Sequence, residues 1–213
     1  MTRRKKKRVV NFFKIIVTIV IVGVIIFIFY TKYPFKNNHK VDDIRGYHYA
    51  IENRDSKLMK DNFALLKDVL LSQEIDYEKY AEYLSKLFVI DLYTLSNKNN
   101  KYDIGGTEYV YPDNVNSYKL KAQDTLYKYL ENKDERKQNL PTVSEISLDS
   151  IEETTYKYKD KEYAAYRITL SWKYTKDYGY DTQADLVIMK DNKFLYVVEF
   201  NTEVESWKGC LEK

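Results

Sequence analysis

Apolar residues follow three successive spacings along the chain. Near the N-terminus they are unbroken: residues 15–30, IIVTIVIVGVIIFIFY, contain no charge. Over residues 55–130 they recur at three and four, the period of one helix face. Beyond Pro141 they alternate, the period of a strand with one buried face.

The middle stretch predicts three helices. The first starts at Asp55 or Ser56, either a good N-cap, and carries Leu58, Met59, Phe63, Leu66, Val69 and Leu70 on one face. The second starts after Asp76, with Tyr80, Leu84, Leu87, Phe88 and Leu95 as its stripe. It ends before the polar run SNKNN at 96–100, and Gly105-Gly106 is a breaker. The third begins at Asp113 or Asn114, after Pro112. It carries Tyr118, Ala122, Leu126, Tyr129 and Leu130 and stops in ENKDE, 131–135. Residues 47–51 and 108–111 fit short extended pieces.

The alternating stretch predicts four strands. Over 163–174, Tyr166, Ile168, Leu170, Trp172 and Tyr174 point one way; Arg167, Thr169, Ser171 and Lys173 point the other. A strand at 143–158 precedes it, turning at 159–161. Strands at 180–189 and 194–200 follow, joined at 191–193. Short connections imply an antiparallel meander. Helices that come before, and apart from, an antiparallel sheet make an α+β domain.

The unbroken run is a membrane-span candidate. Sixteen residues cover about 24 Å, and extending back to Val9 gives 22 residues and about 33 Å, enough for a hydrocarbon core of about 30 Å. Lys14 near one end can reach the headgroups along its stem, and Tyr30 and Tyr33 sit where rings favour the interface. Arg3, Arg4, Lys5, Lys6, Lys7 and Arg8 precede the run, which places the N-terminus in the cytoplasm and the bulk of the chain outside. A cleaved signal peptide fits less well, because YTKYPF at 30–35 offers no pair of small residues at cleavage spacing. The predicted organisation is a basic cytoplasmic stub (1–8), a transmembrane helix (9–30), a polar linker (31–46), an extracytoplasmic domain (47–205) and a tail (206–213).

Charge sharpens this division. The chain is +3 overall, with 35 basic and 32 acidic side chains. Seven of the basic ones lie in residues 1–14 with no acid, so the rest is −4. Phosphate neutralisation needs a concentrated basic face, so nucleic-acid binding by the folded part is disfavoured. The lean towards Lys and Tyr, 22 of the latter, reads as AT-rich coding, as in a low-GC Gram-positive bacterium. One cysteine, Cys210, excludes an internal disulfide or a multi-cysteine metal site.

Candidate chemistry is sparse. Asp91 falls on the stripe of Leu84, Leu87, Phe88 and Leu95, where a carboxylate is partly desolvated and its pKa can rise; the plainer reading is an acid satisfied by hydrogen bonds. His39 lies in the linker and His48 between two tyrosines. Asp42-Asp43 reads as a solvated linker pair. Asp177 and Asp181 flank Gly179 without the ligand density of a calcium loop, so a β-turn is expected. No phosphate loop, HExxH, GxSxG or SxxK occurs. No metal or cofactor site is expected. Tyr156, Tyr158, Tyr174, Tyr178 and Tyr180 cluster at turns and strand ends and are a candidate interaction patch.

The element order resembles the cone-shaped fold of the nuclear transport factor 2-like superfamily, in which a long curved sheet wraps around helices that come first in the chain. With its basic stub and single span, the chain is similar to one branch of it, the bitopic assembly component of type IV secretion and conjugation machines. The resemblance covers residues 9 to about 203 and rests on element order; no residue motif carries over. It implies a non-enzymatic cell-surface domain that docks other envelope proteins, with self-association left open. It also implies an alternative: a small-molecule or isomerase- or hydratase-like site inside the cone, with Asp91 as its acid.

Overall fold

The computed structural model describes residues 40–202 and three positions of the N-terminal apolar run, 20, 22 and 23. Apart from those three positions, the proposed span at 9–30, its basic and aromatic flanks, His39 and Cys210 lie outside the described residues. Among the described residues, no helix is long and apolar enough to cross a membrane. The chain separates into two compact units, Met1–His39 and Lys40–Lys213, and the second carries every element that follows.

A two-stranded antiparallel ribbon comes first, β1 (Lys40–Asp43) against β2 (Ala50–Glu52). Then come α1 (Lys57–Leu70), α2 (Tyr77–Tyr93) and α3 (Val115–Asp124). Four strands follow: β3 (Val143–Tyr158), β4 (Lys161–Tyr174), β5 (Gln183–Asp191) and β6 (Phe194–Asn201). They form an antiparallel meander in the order β3-β4-β5-β6. The architecture is α+β, three helices with a four-stranded antiparallel sheet, as the change of period implies.

Local chemistry sets the boundaries. Ser56 Oγ accepts the Met59 N–H at 3.1 Å and caps α1; the Asp76 carboxylate accepts the Lys79 N–H at 3.0 Å and caps α2. These bonds satisfy amides that have no partner inside a first helical turn. The β3–β4 turn places Lys159 and Asp160 at φ 46° and 63°, which matches the twist of a tight hairpin.

Three expectations are corrected. The third helix ends at Asp124, not near residue 130. The chain turns out at Thr125, and the Tyr127 N–H bonds to the Ala122 carbonyl at 2.8 Å. That exit seats the Tyr127 hydroxyl on the Leu92 carbonyl at 2.7 Å, where it also accepts the Gly105 N–H at 3.1 Å. Residues 108–111 form no strand, only a parallel bridge from Val110 to Val197 on β6. The stretch read as linker contains β1, and Lys67 reaches Asp42 from α1 at 2.6 and 2.7 Å. The Lys67 hydrogen bond holds the Asp42 carboxyl below its ordinary range, so Asp42 is not a free solvated charge.

The core lies between helices and sheet. α2 is buried nearly all round at its centre: Leu87, Phe88, Val89 and Ile90 are at most 1% exposed. Its rings meet the sheet, Phe88 on Phe200 at 5.3 Å and Tyr93 on Trp172 at 5.0 Å. Tyrosine proves structural rather than a mark of coding bias alone. Tyr49, Tyr80, Tyr109, Tyr118 and Tyr127 are fully buried. The Tyr49 and Tyr80 hydroxyls bond each other at 2.6 Å, and Tyr49 also donates to the Leu195 carbonyl at 3.1 Å. A buried tyrosine supplies apolar area at one end and a donor for a backbone carbonyl at the other.

Candidate functional site

Asp91, read from the sequence either as a partly desolvated acid or as one satisfied by hydrogen bonds, lies near the end of α2. Its carboxylate accepts from the Lys98 ammonium and from the Gly106 N–H, the latter at 2.6 Å. The Lys98 side chain is 2% exposed. A cavity of about 220 Å3 beside this pair is lined from Ala50, Glu52, Arg54 and Asp55 round to Asp103, Thr107 and Glu108. No residue of the four-stranded sheet lines it. Glycine makes the approach possible: a Cβ on Gly105 would stand 2.1 Å from the Asp91 carbonyl oxygen. Gly106, at φ +75°, would meet the Phe88 ring and the Tyr118 hydroxyl.

The other charges here are also engaged. The Arg54 guanidinium forks onto Asp103 and reaches Glu52 through Nε at 2.7 Å. Burial works against the Asp103 carboxylate, but Arg54 and the Asn99 N–H hold it below its ordinary range. Burial pushes Glu108 up to about 7, with Asp91 and Asp55 adding to the effect. Burial raises Asp55 as well, although it accepts the Glu52 N–H at 2.6 Å. A carboxyl titrating near neutrality can exchange protons, but its neighbours are locked in ion pairs that fasten the 98–108 segment to α2 and β2. His48 donates from Nε2 to the Glu108 carbonyl at 2.8 Å and stacks on Tyr196, a packing role. Among the described residues, no group of three or more His, Cys, Asp or Glu could hold a metal.

The larger concavity is a cleft of about 500 Å3 at the end of the sheet. Tyr93 and Leu95 close it from the end of α2; Leu126, Tyr129 and Leu130 from the segment after α3; Leu140 from just before β3 and Tyr180 from the β4–β5 connection. Tyr129 is 76% exposed. The Tyr93 hydroxyl donates to Asp181 at 3.1 Å across its floor. Sequence reading missed this cleft because its walls come from four separate stretches, each ordinary alone.

The five tyrosines of the expected patch do not form one surface. Tyr156 and Tyr158 are 8% and 6% exposed and pack with Ala165, Val187, Met189 and Val198 in a second small core. The Tyr158 hydroxyl donates to Asp113 at 3.2 Å. Tyr174 accepts from Trp172 Nε1 at 2.8 Å and donates to the Asp181 carbonyl at 2.6 Å. Tyr178 carries Lys176 over its ring. Only Tyr180 lines the cleft. The Asp177 turn is as expected, with the Gly179 N–H on the Asp177 carboxylate at 2.7 Å and Gly179 at φ +76°.

No family model, no curated protein and no solved structure matches the chain.

Proposed function

We propose that this protein is a membrane-anchored, single-pass docking domain of the cell surface, without catalytic activity, serving an envelope-spanning assembly of the conjugation or secretion kind. The cleft carries this reading. It is concave, walled largely by tyrosine and leucine with Asp124 and Asp181 also in its lining, and rimmed by the exposed ring of Tyr129; tyrosine is enriched at the centre of protein interfaces. Its occupant is an apolar segment of another envelope protein. The N-terminal apolar run supplies the anchor, and confinement to the membrane plane raises the effective concentration, so a weak contact suffices. The order of helices before sheet supports the likeness to the nuclear transport factor 2-like superfamily.

A photo-crosslinking amino acid in place of Tyr129, expressed in cells, tests it, with Lys161 as the control position. The expected result is one discrete envelope-protein adduct at 129, absent at 161 and lost on Leu126→Arg. No adduct at 129 would sink the reading. The volume of the cleft also falls in the range of small-ligand sites. A small molecule retained through native mass spectrometry, with no protein adduct, would favour that second reading.

A further inference from the structure

The two edges of the sheet are treated differently. On the β6 side, the Val197 N–H donates to the Tyr109 carbonyl at 2.8 Å and its carbonyl accepts the Tyr111 N–H at 3.3 Å. On the β3 side, among the described residues, no strand pairs with the outer edge of this 16-residue strand. The direction of its free groups follows from alternation. The Trp172 N–H bonds towards β5, to the Thr182 carbonyl at 2.8 Å, so Arg167 and Ala165 turn their backbone towards β3. Their partners Glu152 and Thr154 therefore bond across the ladder. Ile151, Glu153 and Thr155 turn N–H and C=O outwards.

Charge marks this edge. β3 carries Glu145, Asp149, Glu152 and Glu153 against a single cation, Lys157. Glu145 is paired with Lys173 at 2.7 Å; Glu152 and Glu153 have no ion pair among the described residues. The first turn of α2 adds to the same side. Besides burial, Glu153, Glu78 and Asp76 all raise the Tyr166 hydroxyl, so the three carboxylates lie within electrostatic reach of it. Bulges at 143/145 and 148/150 interrupt the first half of β3, whereas 150–158 pairs in regular register with β4. Edge charges and bulges are devices against self-pairing. Two antiparallel copies of this strand would bring Glu152 and Glu153 of each together, which is unfavourable. A cationic strand meets no such penalty.

We propose that residues 150–158 of β3 accept an extended, basic segment of a partner protein as a fifth strand. Backbone hydrogen bonds to Ile151, Glu153 and Thr155 hold it, and Glu153 with Glu78 selects lysine or arginine at alternate positions on one face, while Glu152 points to the other face. This surface is separate from the cleft and stands or falls independently of it.

The test uses the full chain in detergent micelles and a fluorescein-labelled eight-residue peptide that alternates valine with lysine. Fluorescence anisotropy reads binding against the same peptide with alternate backbone amides N-methylated, and against a glutamate-for-lysine version. Saturable binding of the first alone is expected. Thr155→Pro removes one outward donor without changing charge, at an edge position where proline is tolerated. It should weaken binding at least about tenfold with the thermal transition retained, whereas Leu126→Arg in the cleft leaves binding unchanged. Should Thr155→Pro unfold, Glu153→Lys and the methylated peptide carry the test. Equal binding of the methylated peptide would mean diffuse charge attraction and overturn the proposal. So would no saturable binding, or a concentration-dependent dimer of the chain that the peptide fails to compete.

Discussion

Lys98 lays a side chain that is 2% exposed onto the Asp91 carboxylate of α2, seven residues back along the chain. An ammonium so thoroughly removed from water is tolerable only while paired. Asp91→Asn leaves that cation uncompensated and should destabilise the fold by about 3 kcal/mol. Replacing both partners, Asp91→Asn with Lys98→Met, should recover much of the loss. Urea denaturation of the two single variants and the double variant checks this as a cycle; strictly additive costs would show that the pair is not coupled.

Gly105 is fixed by contact rather than by backbone angle. Its missing Cβ leaves room for the Asp91 carbonyl, 2.1 Å from where that atom would stand. Gly105→Ala must push the 98–108 segment off α2, a loss of about 2 kcal/mol or more. A lowered midpoint with an unchanged denaturant slope is the expected observation. A variant as stable as the parent would mean that the segment is not held against α2.

Much of this was legible in the chain. Asp55 or Ser56 reads as the first cap because a short acceptor before an amphipathic run has little else to do, and Ser56 acts so; the second helix reads as starting after Asp76, which caps it. The alternation from Tyr166 to Trp172 fixed the buried face of β4 because a strand offers only two faces. What could not be read depends on partners far apart in sequence. Lys98 lies in SNKNN, a run whose composition says solvent, yet the Gly105 approach buries it. Periodicity places Asp91 on an apolar helix face, but it gives a face and not what covers it. The third helix stops early because Tyr127 finds the Leu92 carbonyl and the Gly105 N–H, a tertiary competition that helical spacing does not reveal. The acidic residues of 143–158 suit an edge strand, but which strands pair with it depends on partners elsewhere in the chain.

Glu108 should make stability depend on pH. Its pKa rises from an ordinary 4.5 to about 7, so the folded state binds the proton more tightly than the unfolded chain. The stabilisation is full below about pH 4.5 and is lost as pH climbs towards 7, by about 3 kcal/mol at most. Asp55 is shifted in the same sense. His48 is lowered by burial and acts oppositely, with stability lost as pH falls. Comparing Glu108→Gln with the parent isolates the one group: the parent should lose more stability between pH 5 and pH 8. Parallel profiles would show that Glu108 titrates normally.

Two nearby tyrosines should separate cleanly. Tyr127→Phe removes a hydroxyl that bonds both Leu92 and Gly105, leaving two buried backbone groups unmet, for about 2 kcal/mol. Tyr129→Ser, at a ring 76% exposed, should shift stability by less than about 0.5 kcal/mol. Thermal unfolding of both variants reads the contrast, and equal losses would contradict it.

The strap of 109–111 across Val197 limits what any added strand can build. A sheet that is open on both sides can propagate copy after copy into a fibre. Here the second side is already occupied within the molecule, so growth at β3 ends after one addition. The domain is therefore built as a terminator of β-pairing rather than as a seed for it.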